Sequence, residues 1–68
     1  MDLVGSIIAY EEGQLDDTGT VELFADLIKS GQAWSLQGHY GRVATMLIER
    51  GIVSPQGEVD WDMFAEVV

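Results

Sequence analysis

The sequence predicts an all-α fold: a compact small bundle of three helices plus a short C-terminal helix, forming one domain over residues 1–68. Three observations carry this. Apolar residues recur at helical spacing, most completely at Tyr40, Val43, Ala44, Leu47 and Ile48, which fill the i, i+3, i+4, i+7, i+8 template. Gly13, Gly31 and Gly51 each follow such a pattern, where a residue free to turn left-handed ends a helix. Short oxygen side chains, in Asp16-Asp17-Thr18 and at Asp60, stand where helices would begin and can accept bonds from free N–H groups.

The first helix is expected over residues 2–12. Leu3, Val4, Ile7, Ile8 and Ala9 lie at helical offsets. Asp2 suits the positive end of the helix dipole, and Leu15 can fold back beyond the Gly13 stop. Gly5 costs about 1 kcal/mol relative to Ala inside a helix. It marks either a close backbone neighbour or a plain surface position. The second helix is expected over residues 17–30. Val21, Phe24, Leu27 and Ile28 form its apolar face, Leu23 and Ala25 widen it, and Glu22, Asp26 and Lys29 lie outside it. A connector follows, with a single turn around Ala33–Leu36, where Trp34 and Leu36 would plug the gap between helices two and three. The third helix is expected over residues 38–50. Gly51 stops it, and Ile52 can add the apolar contact of a Schellman-type end. Ser54-Pro55-Gln56-Gly57 reads as a turn. Asp60 then caps a last short helix, which is too short to stand alone and must dock by Trp61 and Phe64. One contiguous core is expected from Phe24, Leu27, Ile28, Trp34, Tyr40, Val43, Leu47 and Ile48.

Composition narrows the function classes. The chain has 68 residues and no Cys, which excludes disulfides and thiolate metal sites. One His cannot build a multi-histidine site, and no cofactor or metal is expected. Asp16 and Asp17, or Glu58, Asp60 and Asp62, lack the loop pattern of a calcium site, so capping is the better reading of both. A domain below roughly 70–80 residues without such staples needs efficient helix packing or self-association. With 47% hydrophobic residues, some apolar surface is expected to stay exposed in a monomer, which favours an oligomer or a partner. Trp61, Phe64 and Val68 form the expected oligomer stripe.

Twelve Asp and Glu stand against three Lys and Arg, for a net charge of −9. Counterion release on nucleic acid needs clustered cations, so no nucleic acid and no acidic membrane surface is expected. A basic protein surface, or a site that normally holds nucleic acid, is the complement, or the charge only keeps an apolar chain in solution. Met1 is followed by Asp2 rather than by a basic leader, and the longest apolar run is far short of a span. With the absence of Cys, a cytoplasmic location is expected.

The stretch Trp34-Ser35-Leu36-Gln37-Gly38-His39-Tyr40-Gly41-Arg42 concentrates unusual chemistry. It holds one of the two Trp, the only His and one of the three basic residues. General acid–base work would need a partner to orient His39. Ser35 lies in the connector and no carboxylate is near in sequence, so no enzyme is expected. Trp34, Gln37, His39, Tyr40 and Arg42 instead form the candidate partner-binding site, because Trp, Tyr and Arg are enriched at binding hot spots. In this reading Gln37, His39 and Arg42 present polar groups while Trp34, Leu36 and Tyr40 anchor them from below. Gly38 and Gly41 would admit another backbone. Arg42 can alternatively pair with an acidic residue of its own fold. A winged helix-turn-helix alternative would turn Gln37, His39, Arg42 and Thr45 to DNA, but it needs a two-stranded wing where Val59–Val68 reads as a helix.

Leu23-Phe24, Leu27-Ile28, Gly31, Trp34, Leu36-Gln37-Gly38, Tyr40-Gly41-Arg42, Ala44, Leu47-Ile48 and Gly51, with the opening Ile7–Leu15, resemble a pattern in small proteins encoded by tailed double-stranded DNA bacteriophages. The resemblance spans roughly residues 3 to 51, and its specific part is Trp-x-Leu-Gln-Gly-x-Tyr-Gly-Arg. It implies a phage product acting inside a bacterial cell and no assigned activity. The function expected is a non-enzymatic, acidic module that binds a host or phage protein. A homo-oligomeric structural or regulatory protein and a small DNA-binding regulator are the alternatives.

Overall fold

The computed structural model describes residues 3–36 and 38–67; Asp2, Gln37 and Val68, all named above, lie outside the described residues. The fold is all-α. Its helices are α1 (Leu3–Glu11), α2 (Asp17–Ser30), α3 (Gly38–Glu49) and α4 (Trp61–Val67), with a 3₁₀ turn at Gln32–Trp34.

α2 begins and ends as its sequence requires. The Asp16 side chain accepts a bond from the Gly19 N–H at 2.7 Å, and Gly31 takes φ +81° at the other end. Between them Val21, Leu23, Phe24, Ala25, Leu27 and Ile28 are all buried, so α2 is the central helix against which the others pack. Glu22, Asp26 and Lys29 face out. α1 closes at Gly13, where φ is +74° and the Gln14 N–H reaches the Ala9 carbonyl. Leu3, Ile7 and Tyr10 pack on the core, whereas Val4 and Ile8 on the other face stay exposed. Gly5 sits at the surface. α3 ends at Gly51 with the Ile52 N–H on the Leu47 carbonyl, the expected Schellman-type bond, and Ile52 is buried behind it.

Two packing expectations need correction. Trp34 is 54% exposed and Leu36 is also at the surface, so neither plugs the gap between α2 and α3. Ala33 does, with no exposure at all. A 3₁₀ turn advances about 120° per residue, so when Ala33 faces the core the next residue must point away from it. Trp34 therefore drops out of the core, and Val21, Leu23, Ala25, Ala33, Ala44, Ile52 and Val53 join it. Val43 and Ile48 are half-buried against it.

The second correction concerns α4. Asp60 caps it as expected, accepting from the Met63 N–H at 3.1 Å. Phe64 and Met63 pack on the core, but Trp61 is 44% exposed. Met63 and Phe64 are neighbours on the helix, so the inward face is theirs, and Trp61 stands edge-on to Phe64 at 5.6 Å.

The segment between α3 and α4 closes on itself. A single antiparallel bridge pairs Val53 with Val59. The Ser54 N–H reaches the Glu58 carbonyl at 2.7 Å, and the Gly57 N–H reaches the Ser54 carbonyl. The Ser54 hydroxyl accepts from the Gln56 and Glu58 N–H groups. This tight loop presses Gly57 onto the backbone of α2.

Candidate functional site: an exposed corner over an aromatic cluster

The corner rests on a cluster drawn from three helices. Tyr10 of α1 meets Phe24 of α2 edge-on at 5.4 Å, and lies 5.8 Å from His39 and 5.9 Å from Tyr40 of α3. Two hydrogen bonds fasten the end of α1 to the start of α3. The Tyr40 hydroxyl donates to Glu11 Oε2 at 2.6 Å, and the Tyr10 hydroxyl pairs with His39 Nε2. Burial, then the Glu11 carboxylate, pushes the Tyr40 hydroxyl up to about 12, since a phenolate there would be desolvated beside a negative charge. Burial also raises Tyr10.

The carboxylate of the cluster is bonded to Tyr40, not to the imidazole. None of the four surface grooves described takes a wall from Tyr10, His39 or Tyr40. Among the described residues no group of three or more His, Asp and Glu could hold a metal ion. The geometry orients helices and supports the surface above.

That surface differs in depth from its sequence reading. Tyr40 is only 4% exposed, so it anchors the corner and cannot itself touch a partner. Trp34 is part of the outer layer rather than an anchor from below. Its ring lies against Gly41, where a Cβ would come within 3.9 Å of Cε3. The Gly41 position also faces the Ala33 carbonyl at 3.6 Å, so the backbone that approaches it belongs to this chain's own 3₁₀ turn. Gly38 opens onto free space. His39 and Arg42 are exposed, and among the described residues Arg42 makes no ion pair. The alternative in which Arg42 ties down an acidic residue finds no such partner among the described residues. Gln37 lies outside the described residues.

Tyr10 and Glu11 are the contributors that sequence reasoning missed. Each bonds across 29 residues of chain, and nothing local in Ala9-Tyr10-Glu11-Glu12 marks it for that role. The second expected surface is split: Trp61 is exposed, Phe64 is half-buried against the core, and Val68 lies outside the described residues.

Comparison with known proteins adds one finding. The whole chain, residues 1–68, matches the family model described as a domain of unknown function, DUF7417. The chain belongs to the DUF7417 family. No curated protein and no solved structure matches it. Membership therefore carries no activity to this fold. No helix among the described residues is long and apolar enough to cross a membrane.

Proposed function

We propose that this DUF7417 chain is a non-enzymatic, acidic protein-binding module of phage origin, acting on a host or phage protein in the bacterial cytoplasm through the corner of the 3₁₀ turn and α3. One observation carries the reading: a half-exposed Trp34 indole is braced on Gly41, next in sequence to an Arg42 guanidinium that makes no ion pair among the described residues. A large aromatic at the surface offers a broad contact area, and a guanidinium brings directional bonds to carboxylates or carbonyls. The Tyr10, Glu11, His39 and Tyr40 bonds hold the platform beneath it. The net charge of −9 and the engagement of His39 by Tyr10 weigh against the DNA-binding alternative.

The test pairs capture with stability. Wild-type chain and the Arg42→Ala and Trp34→Ala variants are used to capture a stoichiometric protein from bacterial lysate, and each is melted by circular dichroism. A hot-spot residue costs at least about 2 kcal/mol of binding on truncation. An exposed side chain away from special features changes stability by no more than about 0.5 kcal/mol. Loss of capture at an unchanged melting temperature supports the corner. A large fall in melting temperature for Arg42→Ala assigns that residue to the fold and removes the site.

A further inference from the structure

The exposed Trp61 marks a second surface, far from the corner in sequence and different in charge. Met63 and Phe64 pack α4 on the core, whereas Trp61 is 44% exposed. It is nevertheless held in place, edge-on to Phe64. Trp61 forms a wall shared by two open grooves. One, of about 710 Å³, runs beside the tight loop and is lined by Pro55, Val59, Glu58, Asp60 and Asp62 among others. The other, of about 380 Å³, lies toward α2 and adds Glu22 and Asp26. Lys29 is the single cation lining either groove. Among the described residues none of these five carboxylates is in an ion pair.

We propose that this face docks an extended arginine-bearing segment of a basic partner protein, with a guanidinium stacked on the Trp61 indole and the surrounding carboxylates receiving its N–H groups. The argument is one of charge complementarity around an apolar floor. A cation over an indole face is drawn by the ring quadrupole, and Trp is the strongest aromatic partner. Arginine suits the site better than lysine, because its planar group both stacks and forks onto carboxylates. A second copy of this chain fits poorly. A twofold interface sets the same patch against itself, and here that brings Glu58, Asp60 and Asp62 against their equals.

The experiment follows the amide and indole resonances of the isotopically labelled full chain while a synthetic peptide of alternating arginine and serine is added at low salt. The expected result is a saturable shift of the Trp61 indole and of amides 56–62, with the Trp34 indole unmoved. Affinity should fall about tenfold in Trp61→Ala, on the scale of a desolvated cation–π contact. The Glu58→Gln, Asp62→Asn double variant leaves the core untouched and should weaken binding while flattening its dependence on salt. A matching peptide with lysine for arginine should bind more weakly. Shifts confined to residues 34–42 would overturn the assignment in favour of the corner. A Trp61 indole that moves with protein concentration alone would hand the face to a second copy. Absence of a localised shift, or binding indifferent to both variants, would end the proposal without touching the corner, whose test uses Arg42 and Trp34.

Discussion

The contact between the tight loop and α2 leaves no room for a side chain at Gly57. A Cβ built there would stand 2.7 Å from the Ala25 carbonyl oxygen, 2.7 Å from Lys29 Cβ and 2.8 Å from the Lys29 nitrogen. Ordinary contacts of carbon lie at about 3.5–4.0 Å, so three neighbours are overrun at once. Two of the three are backbone atoms of the central helix and cannot swing aside. Gly57 also holds φ +88°, in the left-handed region. The Gly57→Ala variant therefore carries two costs. The left-handed conformation costs about 1–2 kcal/mol for a residue with a Cβ, and overpacking adds about 1–3 kcal/mol. Their sum, about 2–5 kcal/mol, is a large share of the lower end of the usual stability range of about 5–15 kcal/mol. For a domain of this size each kcal/mol moves the melting temperature by about 4–8 °C, so a fall of at least about 8 °C is expected. Circular dichroism on heating measures it. Gly38→Ala is the control, since nothing lies within 4 Å of its Cβ position and its φ is not positive. A Gly57→Ala protein that melts together with that control would refute the close approach of loop and helix.

Two other expectations follow from the core and the cluster. Leu47→Ala removes a side chain only 6% exposed and should cost about 2–5 kcal/mol by urea unfolding, depending on how far the cavity collapses; a midpoint equal to the parent's would place Leu47 outside the core. The pH dependence centres on Tyr40, whose hydroxyl is raised from 10.0 to about 12 in the folded chain. Because the folded value lies above the unfolded one, its contribution to stability is complete below pH 10 and is lost as pH rises through about 12. The phenolate absorbance of the native protein should thus appear late, together with alkaline unfolding, and Tyr40→Phe should flatten that limb of the stability curve. Two tyrosines titrating at the ordinary phenol value in an intact fold would contradict the part-buried Glu11–Tyr40 bond.

Much of this architecture was legible residue by residue. The bounds of α2 follow from Asp16 and Gly31, because a capping carboxylate and a left-handed glycine act within a few residues of themselves. The Gly51 stop with Ile52 tucked behind it is local in the same sense. The apolar faces of α2 and α3 were legible because a helix repeats every 3.6 residues whatever it packs against. The candidate site was legible only in part. His39 and Arg42 are at the surface as expected, while Trp34 and Tyr40 divide their roles according to depth, which no spacing encodes.

What the sequence by itself determined is therefore the helices, their caps and the faces they turn inward, all set by interactions between residues close along the chain. The tertiary structure decided the rest. It chose Ala33 over Trp34 for the gap between α2 and α3, since a narrow space beside two helices admits a methyl and expels an indole. It chose Met63 and Phe64 over Trp61 to seat α4. It brought Tyr10 to His39 and Glu11 to Tyr40 across 29 residues, and set Gly57 against the α2 backbone. These outcomes depend on how the elements share one small core, a competition among volumes and distances that is settled only when all of them are packed together.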